Sequence, residues 1–299
     1  MEGTHNRCLL VPLPMLRLVF TDPDIAFDDM LEYGFYKSAM TEKIGIEEAA
    51  SKLAYAICFP KGVNNELTSY LDSEIGRFVV NGDFQLGSDY KTDGERIASI
   101  VVHHALQDSV FNAAVLEWCK LRNAMSLFEV RGGSYQRTLD VVKRHGAFKN
   151  EPLCMLTKDA IFSARDEMYS EDAKIQFCMY AGIQSILGRK TWCYTHRATI
   201  LERTFGCKDK ATIQSITDSR ILDAHKKWSA RKRYERIYKR LENEGFISTF
   251  GAWRLVFVSI SLTLDELLEA VKTWKIKMKT GKSPKERKVE KMMDEINGA

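Results

Sequence analysis

Between Ser229 and Glu244 the side chains able to hold phosphate recur at helical spacing. Arg233, Arg236 and Arg240 stand three and four residues apart, flanked by Lys232 and Lys239, while Tyr234, Ile237, Tyr238 and Leu241 take the apolar positions. At 3.6 residues per turn this places packing groups on one side of a helix and cations on another, so one side can join a core and the other can meet a polyanion. Arg231 extends the basic run to the helix start. Ser229 is placed to cap that helix and, because helix N-termini favour anions, also to touch a phosphate. The competing reading is a solvated helix face with no ligand.

Other chemistry is thinner. Asp24 and Asp28, at i and i+4 within the cluster Asp22, Asp24, Asp28 and Asp29, could hold a divalent cation in a helical nuclease, yet carboxylates at a helix start are explained by the helix dipole alone. Cys193-Tyr-Thr-His196, with Cys178 and Cys207 on either side, lacks the paired spacing of a zinc site. The seven cysteines, at positions 8, 58, 119, 154, 178, 193 and 207, are odd in number and scattered, which reads as reduced thiols rather than a disulfide framework. His103 and His104 are adjacent, so on a helix they point about 100° apart and are expected as one core and one surface residue. No Gly-rich loop ending in Lys-Ser/Thr, no His-Glu-x-x-His and no Gly-x-Ser-x-Gly occurs. The expectation is a protein without catalytic residues, metal or cofactor.

The elements that would position the basic helix follow from periodicity. Ile25 to Met40, Ile46 to Phe59 and Glu66 to Val80 carry apolar residues at helical spacing, with stops at Phe59-Pro60-Lys61-Gly62 and Asn81-Gly82-Asp83. Glu95 to Phe128 sustains an apolar face as one long helix or two, and Ser134 to His145 forms a short basic one. Ala173 to Leu187 is helical and ends at Gly188; Thr191 to Thr195 suits a short strand or an extended linker, and Thr195 is placed to cap a helix with Ala198, Leu201 and Phe205 buried and Gly206 as its stop. After the basic helix, Ile247 to Phe250 and Arg254 to Ile260 read as two strands joined near Gly251-Ala252. Thr263 then caps a final helix, with Glu266 in the capping-box position.

A helical unit ending in a basic helix, a Gly-Phe-Ile corner and a tight hairpin resembles a winged helix-turn-helix domain. Its residues run from Arg189 to Gly206 and from Ser229 to Ile247, and they look like the DNA-binding portion of phage- and plasmid-type replisome organisers and replication initiators. The resemblance covers residues 173–264 and departs from the simple pattern at Cys207 to Trp228, where there is room for an inserted helix. It implies that the helix before the hairpin enters the major groove of double-stranded DNA, with Arg231, Lys232, Arg233, Arg236 and Arg240 in contact. Arg197 would lie near the backbone, Arg254 would be a wing contact, and Trp253 would stand at the hairpin tip. The role implied is non-catalytic DNA binding in replication initiation or transcriptional control on a mobile element.

Composition agrees with an ordinary globular chain: 299 residues, 45% hydrophobic and 28% charged, with 18 Gly and 6 Pro. The net charge of +4 hides a division into −7 over residues 1–171 and +11 over 172–299, so the positive field that attracts polyanions is concentrated in the second part. Leu9 to Phe20, broken by Pro12, Pro14 and Arg17, falls short of the roughly 20 apolar residues of a membrane span, and Met1 to Arg7 does not read as a signal peptide. The expectation is therefore a soluble, cytoplasmic, mainly α protein with no membrane partner. It divides into an acidic helical domain (1–150), a joint (151–171), a winged helix-turn-helix domain (172–264) and a basic C-terminal helix or tail (265–299). In a rival reading the protein is an interaction component whose helical first half receives a protein partner and exposes a large apolar patch.

Overall fold

The computed structural model describes residues 8–58, 94–129, 135–146, 148, 150–167, 170–251 and 255–277. It is mainly helical, with one antiparallel sheet of two strands and one of three. The chain divides into two compact units, residues 1–31 with 148–299, and residues 32–147. This differs from the division expected at residue 150. β1 (Leu9–Pro12) pairs antiparallel with β2 (Leu153–Leu156), Leu9 opposite Leu156 and Val11 opposite Cys154, and the Leu13 amide donates to the Pro152 carbonyl at 2.8 Å. The stretch 151–171, expected as a joint, thus holds a paired strand and then α7 (Lys158–Asp166), capped by the Thr157 hydroxyl on the Ala160 amide. The apolar run that is too short for a membrane is spent inside: Leu9, Val11, Leu13, Leu16 and Val19 are all fully buried. Its prolines sit where no ladder donor is needed, Pro12 at the strand end and Pro14 in the first positions of a 3₁₀ turn over Leu13–Arg17.

In this first unit α8 (Glu171–Leu187) is the central helix, capped by the Ser170 hydroxyl and buried on most of its circumference. It is followed by β3 (Trp192–His196), α9 (Arg197–Thr204), α10 (Lys210–Gln214), α11 (Ser219–Trp228), α12 (Arg231–Asn243), β4 (Ser248–Gly251), β5 (Leu255–Ser259) and α13 (Leu264–Lys277). The strands lie in the order β3-β5-β4, both pairs antiparallel. One core joins Ile175, Met179 and Ile183 of α8 to Ile200, Phe205, Trp228, Ile237, Leu241 and the Val256/Val258 face of β5. Gly182 lets α9 cross α8 at close range: a Cβ there would stand 2.9 Å from the Arg203 carbonyl carbon and the Thr204 amide. Two helices end in the same device. At Gly206 (φ +68°) and Gly245 (φ +76°) the next residue's amide reaches back to the carbonyls of Glu202 and Leu241, closing α9 and α12 by Schellman turns.

Two local expectations are corrected here. Thr195 belongs to β3 and is buried, so His196 takes the cap position of α9 without a side-chain bond; Leu201 and Phe205 pack into the core as expected, beside Ile200, while Ala198 is exposed. The whole of β5 is buried. Its second face, Leu255 and Phe257, is covered by Leu267 and Val271 of α13, with Phe250 stacked on Phe257 at 4.7 Å and Trp192 edge-on to Trp274 at 5.7 Å. α13 starts as expected, with the Thr263 amide donating to Glu266 at 2.8 Å and the Glu266 amide to the Thr263 hydroxyl at 3.3 Å.

The second unit packs α3 (Ile46–Cys58) against α4 (Gly94–Gln107) and α5 (Ser109–Glu129), burying Ala49, Ala50, Leu53, Val101, Phe111, Val115 and Trp118. The long candidate helix is two. The Asp108 carboxylate accepts from the amides of Val110 (2.8 Å) and Phe111 (3.1 Å), which starts α5 as a new helix and holds the acid below the usual carboxylate range. His103 is exposed beside Gln107, and His104 is half-buried with its ring edge-on to Phe111. α6 spans Tyr135–His145. The helix expected over Glu66 to Val80 and the stops beside it lie outside the described residues.

Candidate nucleic-acid interface

The basic sequence His225-Lys-Lys-Trp-Ser-Ala-Arg-Lys-Arg233 forms the corner between α11 and α12. Trp228 is buried and pins the corner to the core, while Lys226, Lys227, Arg231, Lys232 and Arg233 are exposed around it. Cations dense in sequence are therefore also dense in space. Ser229 does not cap α12. Its backbone is helical (φ −68°, ψ −17°), it closes α11, and its hydroxyl donates back to the Lys226 carbonyl at 3.0 Å. The extended residue is Ala230, which starts α12 with no side-chain cap.

α12 splits by face as its periodicity predicts. Tyr234, Ile237, Tyr238 and Leu241 are buried, and burial pushes the phenols of Tyr234 and Tyr238 up. Directly opposite, at steps of four, three and four residues, stand Lys232, Arg236, Lys239 and Asn243, all exposed. Arg233 and Arg240 form one shoulder of this face. Arg233 donates to the Lys227 carbonyl at 3.4 Å, and Arg240 Nε pairs with Glu244 at 2.7 Å. Arg236 pairs with Asp172, in the first turn of α8, at 2.8 Å, and its guanidinium lies 5.8 Å from the Trp228 ring. Among the described residues Lys232 and Lys239 make no ion pair.

The other shoulder is closed. Glu235 holds both Arg231 (3.2 Å) and Arg197 (3.5 Å), and Arg197, only 22% exposed, lies over the Tyr238 ring at 5.4 Å. Arg197 thus braces α9 against α12 rather than standing on the open face. Arg254 and Trp253 lie outside the described residues, as does the basic stretch after Lys277. The structure brings Arg231, Lys232, Arg233, Arg236 and Arg240 onto one helix and adds Lys226 and Lys227 from the corner. Lys239 and Asn243 complete the open face; stepping seven and eleven residues on from Lys232 finds them in the sequence.

The remaining candidates do not assemble. Asp22 uses its carbonyl to start α2 (Pro23–Thr41), Asp28 pairs with Arg165 at 3.5 Å, and Asp29 is buried. Cys193 and His196 face opposite sides of β3, three residues apart in a strand. Burial pushes the Cys193 thiol up to about 11 and the Cys154 thiol up to about 12, so both remain protonated at neutral pH. Among the described residues no three His, Cys, Asp or Glu side chains gather as a metal site, and no helix is long and apolar enough to cross a membrane. No protein-family model, curated protein or solved structure matches the chain.

Proposed function

We propose that the unit formed by residues 1–31 and 148–299 is a winged helix-turn-helix domain that binds double-stranded DNA without catalysis, with α12 as the helix that enters the major groove. The observation that carries this reading is the open face of α12. Lys232, Arg236, Lys239 and Asn243 point away from the core, with Arg233 and Arg240 beside them, on the helix that leads directly into the β4–β5 hairpin. The order helix, strand, helix, basic helix, hairpin, with sheet order β3-β5-β4, supports the same reading; α10 and α11 are then an insertion ahead of the groove helix. Lysines supply phosphate contacts and charge steering, whereas Arg236 and Asn243 carry the donor and acceptor pattern that reads guanine and adenine edges. Replication initiation or transcriptional control on a mobile element is the role that the resemblance suggests for such a domain.

The test is binding of purified protein to a labelled duplex by fluorescence anisotropy across a salt series. With about four phosphates neutralised, log K falls against log salt with a slope of about −3.6, a loss of roughly two orders of magnitude between 50 and 200 mM. Binding that is absent at low ionic strength, or unchanged by joint charge reversal of Arg233 and Arg236, overturns the reading.

The interaction reading draws support from the second unit. Tyr55, Ile100, Leu106 and Val110 are 63%, 42%, 57% and 61% exposed, and Leu106 and Val110 flank the break between α4 and α5. Scattered apolar residues are ordinary on surfaces, so this reading stands second. Its test is whether Leu106→Ser with Val110→Ser changes the sedimentation behaviour of the protein.

A further inference from the structure

We propose that Asp172 and Glu244 are internal substitutes for DNA phosphate: in the free protein they occupy Arg236 and Arg240, and by doing so they lower the affinity of the domain for DNA of any sequence. The inference rests on the DNA-binding reading of α12 and adds residues to it that no basic-patch argument selects. Asp172 lies in the first turn of α8, where the Ser170 hydroxyl accepts from the Ala173 amide at 3.1 Å and sets the helix start. It meets Arg236 at 2.8 Å, with the two side chains 35% and 60% exposed. Glu244 closes α12, meets Arg240 at 2.7 Å through one oxygen, and takes the Gln176 amide of α8 on the other. Both carboxylates are thus held on helix ends rather than on free loops. Next to them Glu171 pairs with Lys227.

Arg236 donates to Asp172 through Nη2 and Arg240 to Glu244 through Nε, and a phosphate arriving at the same guanidinium competes for that donor and for the positive charge. The pairs are half exposed and solvated, hence weak and exchangeable. The cations of the open face then fall into two classes. Among the described residues Lys232, Arg233 and Lys239 have no carboxylate partner and meet DNA at once, whereas Arg236 and Arg240 engage fully only as a phosphate or base acceptor displaces Asp172 or Glu244. Non-specific binding is weakened, and a site that offers acceptors to both arginines recovers the difference.

The experiment measures anisotropy of a labelled duplex of mixed sequence with wild type, Asp172→Asn, Glu244→Gln, Arg236→Gln and the double variant Asp172→Asn/Arg236→Gln. Asp223→Asn, an exposed acid of α11 with no arginine of α12 as partner, controls for net charge. Asp172→Asn and Glu244→Gln are each expected to tighten binding about two- to fivefold near 0.1 M salt, more than Asp223→Asn does. The gain from Asp172→Asn is expected to vanish when Arg236 is already Gln. Unchanged or weaker binding by Asp172→Asn, or an equal gain in the Arg236→Gln background, overturns the proposal. The reading beneath it fails separately: wild type that shows no salt-dependent binding removes both, whereas wild type that binds with no effect of Asp172 removes only the competition.

Discussion

Replacing Lys232 and Lys239 by Gln tests the assignment of the open face with little disturbance to the fold. Both side chains are exposed on the side of α12 opposite Tyr234, Ile237 and Leu241, and neither holds an ion pair among the described residues. Surface changes of this kind move stability by no more than about 0.5 kcal/mol, so thermal unfolding of the double variant is expected to match wild type within a few degrees. The DNA affinity is expected to move far more. Each phosphate contact contributes about 0.9 to the salt slope, so its loss at 0.1 M salt lowers K about eightfold, or about 1.2 kcal/mol. Removing both lowers K by about 60-fold and makes the slope shallower by about 1.8. The deficit shrinks as salt rises, to about 20-fold at 0.2 M. Anisotropy titrations of one duplex at four or five salt concentrations read slope and affinity together. An affinity loss at unchanged slope would show that the lysines act without releasing counterions and are not phosphate contacts. No loss at all, in a protein that binds DNA, would remove the α12 face from the interface.

Four further outcomes follow from the packing. Gly182→Ala places a Cβ against α9 backbone rather than against a movable side chain, and is expected to cost about 1–3 kcal/mol in urea unfolding; a midpoint equal to wild type would mean that the α8–α9 crossing can relax. Gly206→Ala and Gly245→Ala share the positive-φ penalty of about 1–2 kcal/mol, but only at Gly206 would the methyl also strike Arg17 Cγ (2.9 Å) and the Leu13 carbonyl (3.0 Å), so Gly206→Ala is expected to be the worse, and equal losses would refute that contact. Thr263→Ala removes the capping box that starts the helix over the sheet and is expected to cost about 1 kcal/mol by thermal melt, with Trp274 fluorescence reporting any loosening of α13. His225, edge-on to Phe205 at 5.2 Å, has its pKa lowered by burial, so the folded state prefers the neutral ring. Its contribution is fully present above the ordinary histidine pKa and is lost as pH falls through the depressed one, so His225→Asn is expected to flatten the stability profile on the acid side of pH 6.5; an unchanged profile would show that the ring is solvated.

Some of this was open to inspection in the amino-acid order. The faces of α12, the glycine stops at positions 206 and 245, the β4–β5 hairpin and the Thr263–Glu266 box depend on residues within about a turn of one another, and local sterics and hydrogen bonding decide them. Even locally, competition between neighbours went the other way at two places. The strand ran on through Thr195, and Ser229 closed one helix instead of opening the next. At both, the following residue, His196 or Ala230, takes the cap position with no side-chain bond.

What the sequence by itself determined is the chemistry available for a polyanion: which cations exist, that they are concentrated after residue 171, and that α12 carries them on the side away from its apolar stripe. What only the tertiary structure decided is which of them are free to act. Asp172 and Glu235 reach Arg236 and Arg197 only because α8 and α9 pack on α12, from 64 and 38 residues away in the chain for those two ion pairs. The pairing of β1 with β2 and the covering of the second face of β5 by α13 are of the same kind. A side chain's charge is a property of the residue. Its counterion is a property of the fold, because ion pairs form over a few ångströms of space and are indifferent to separation along the chain.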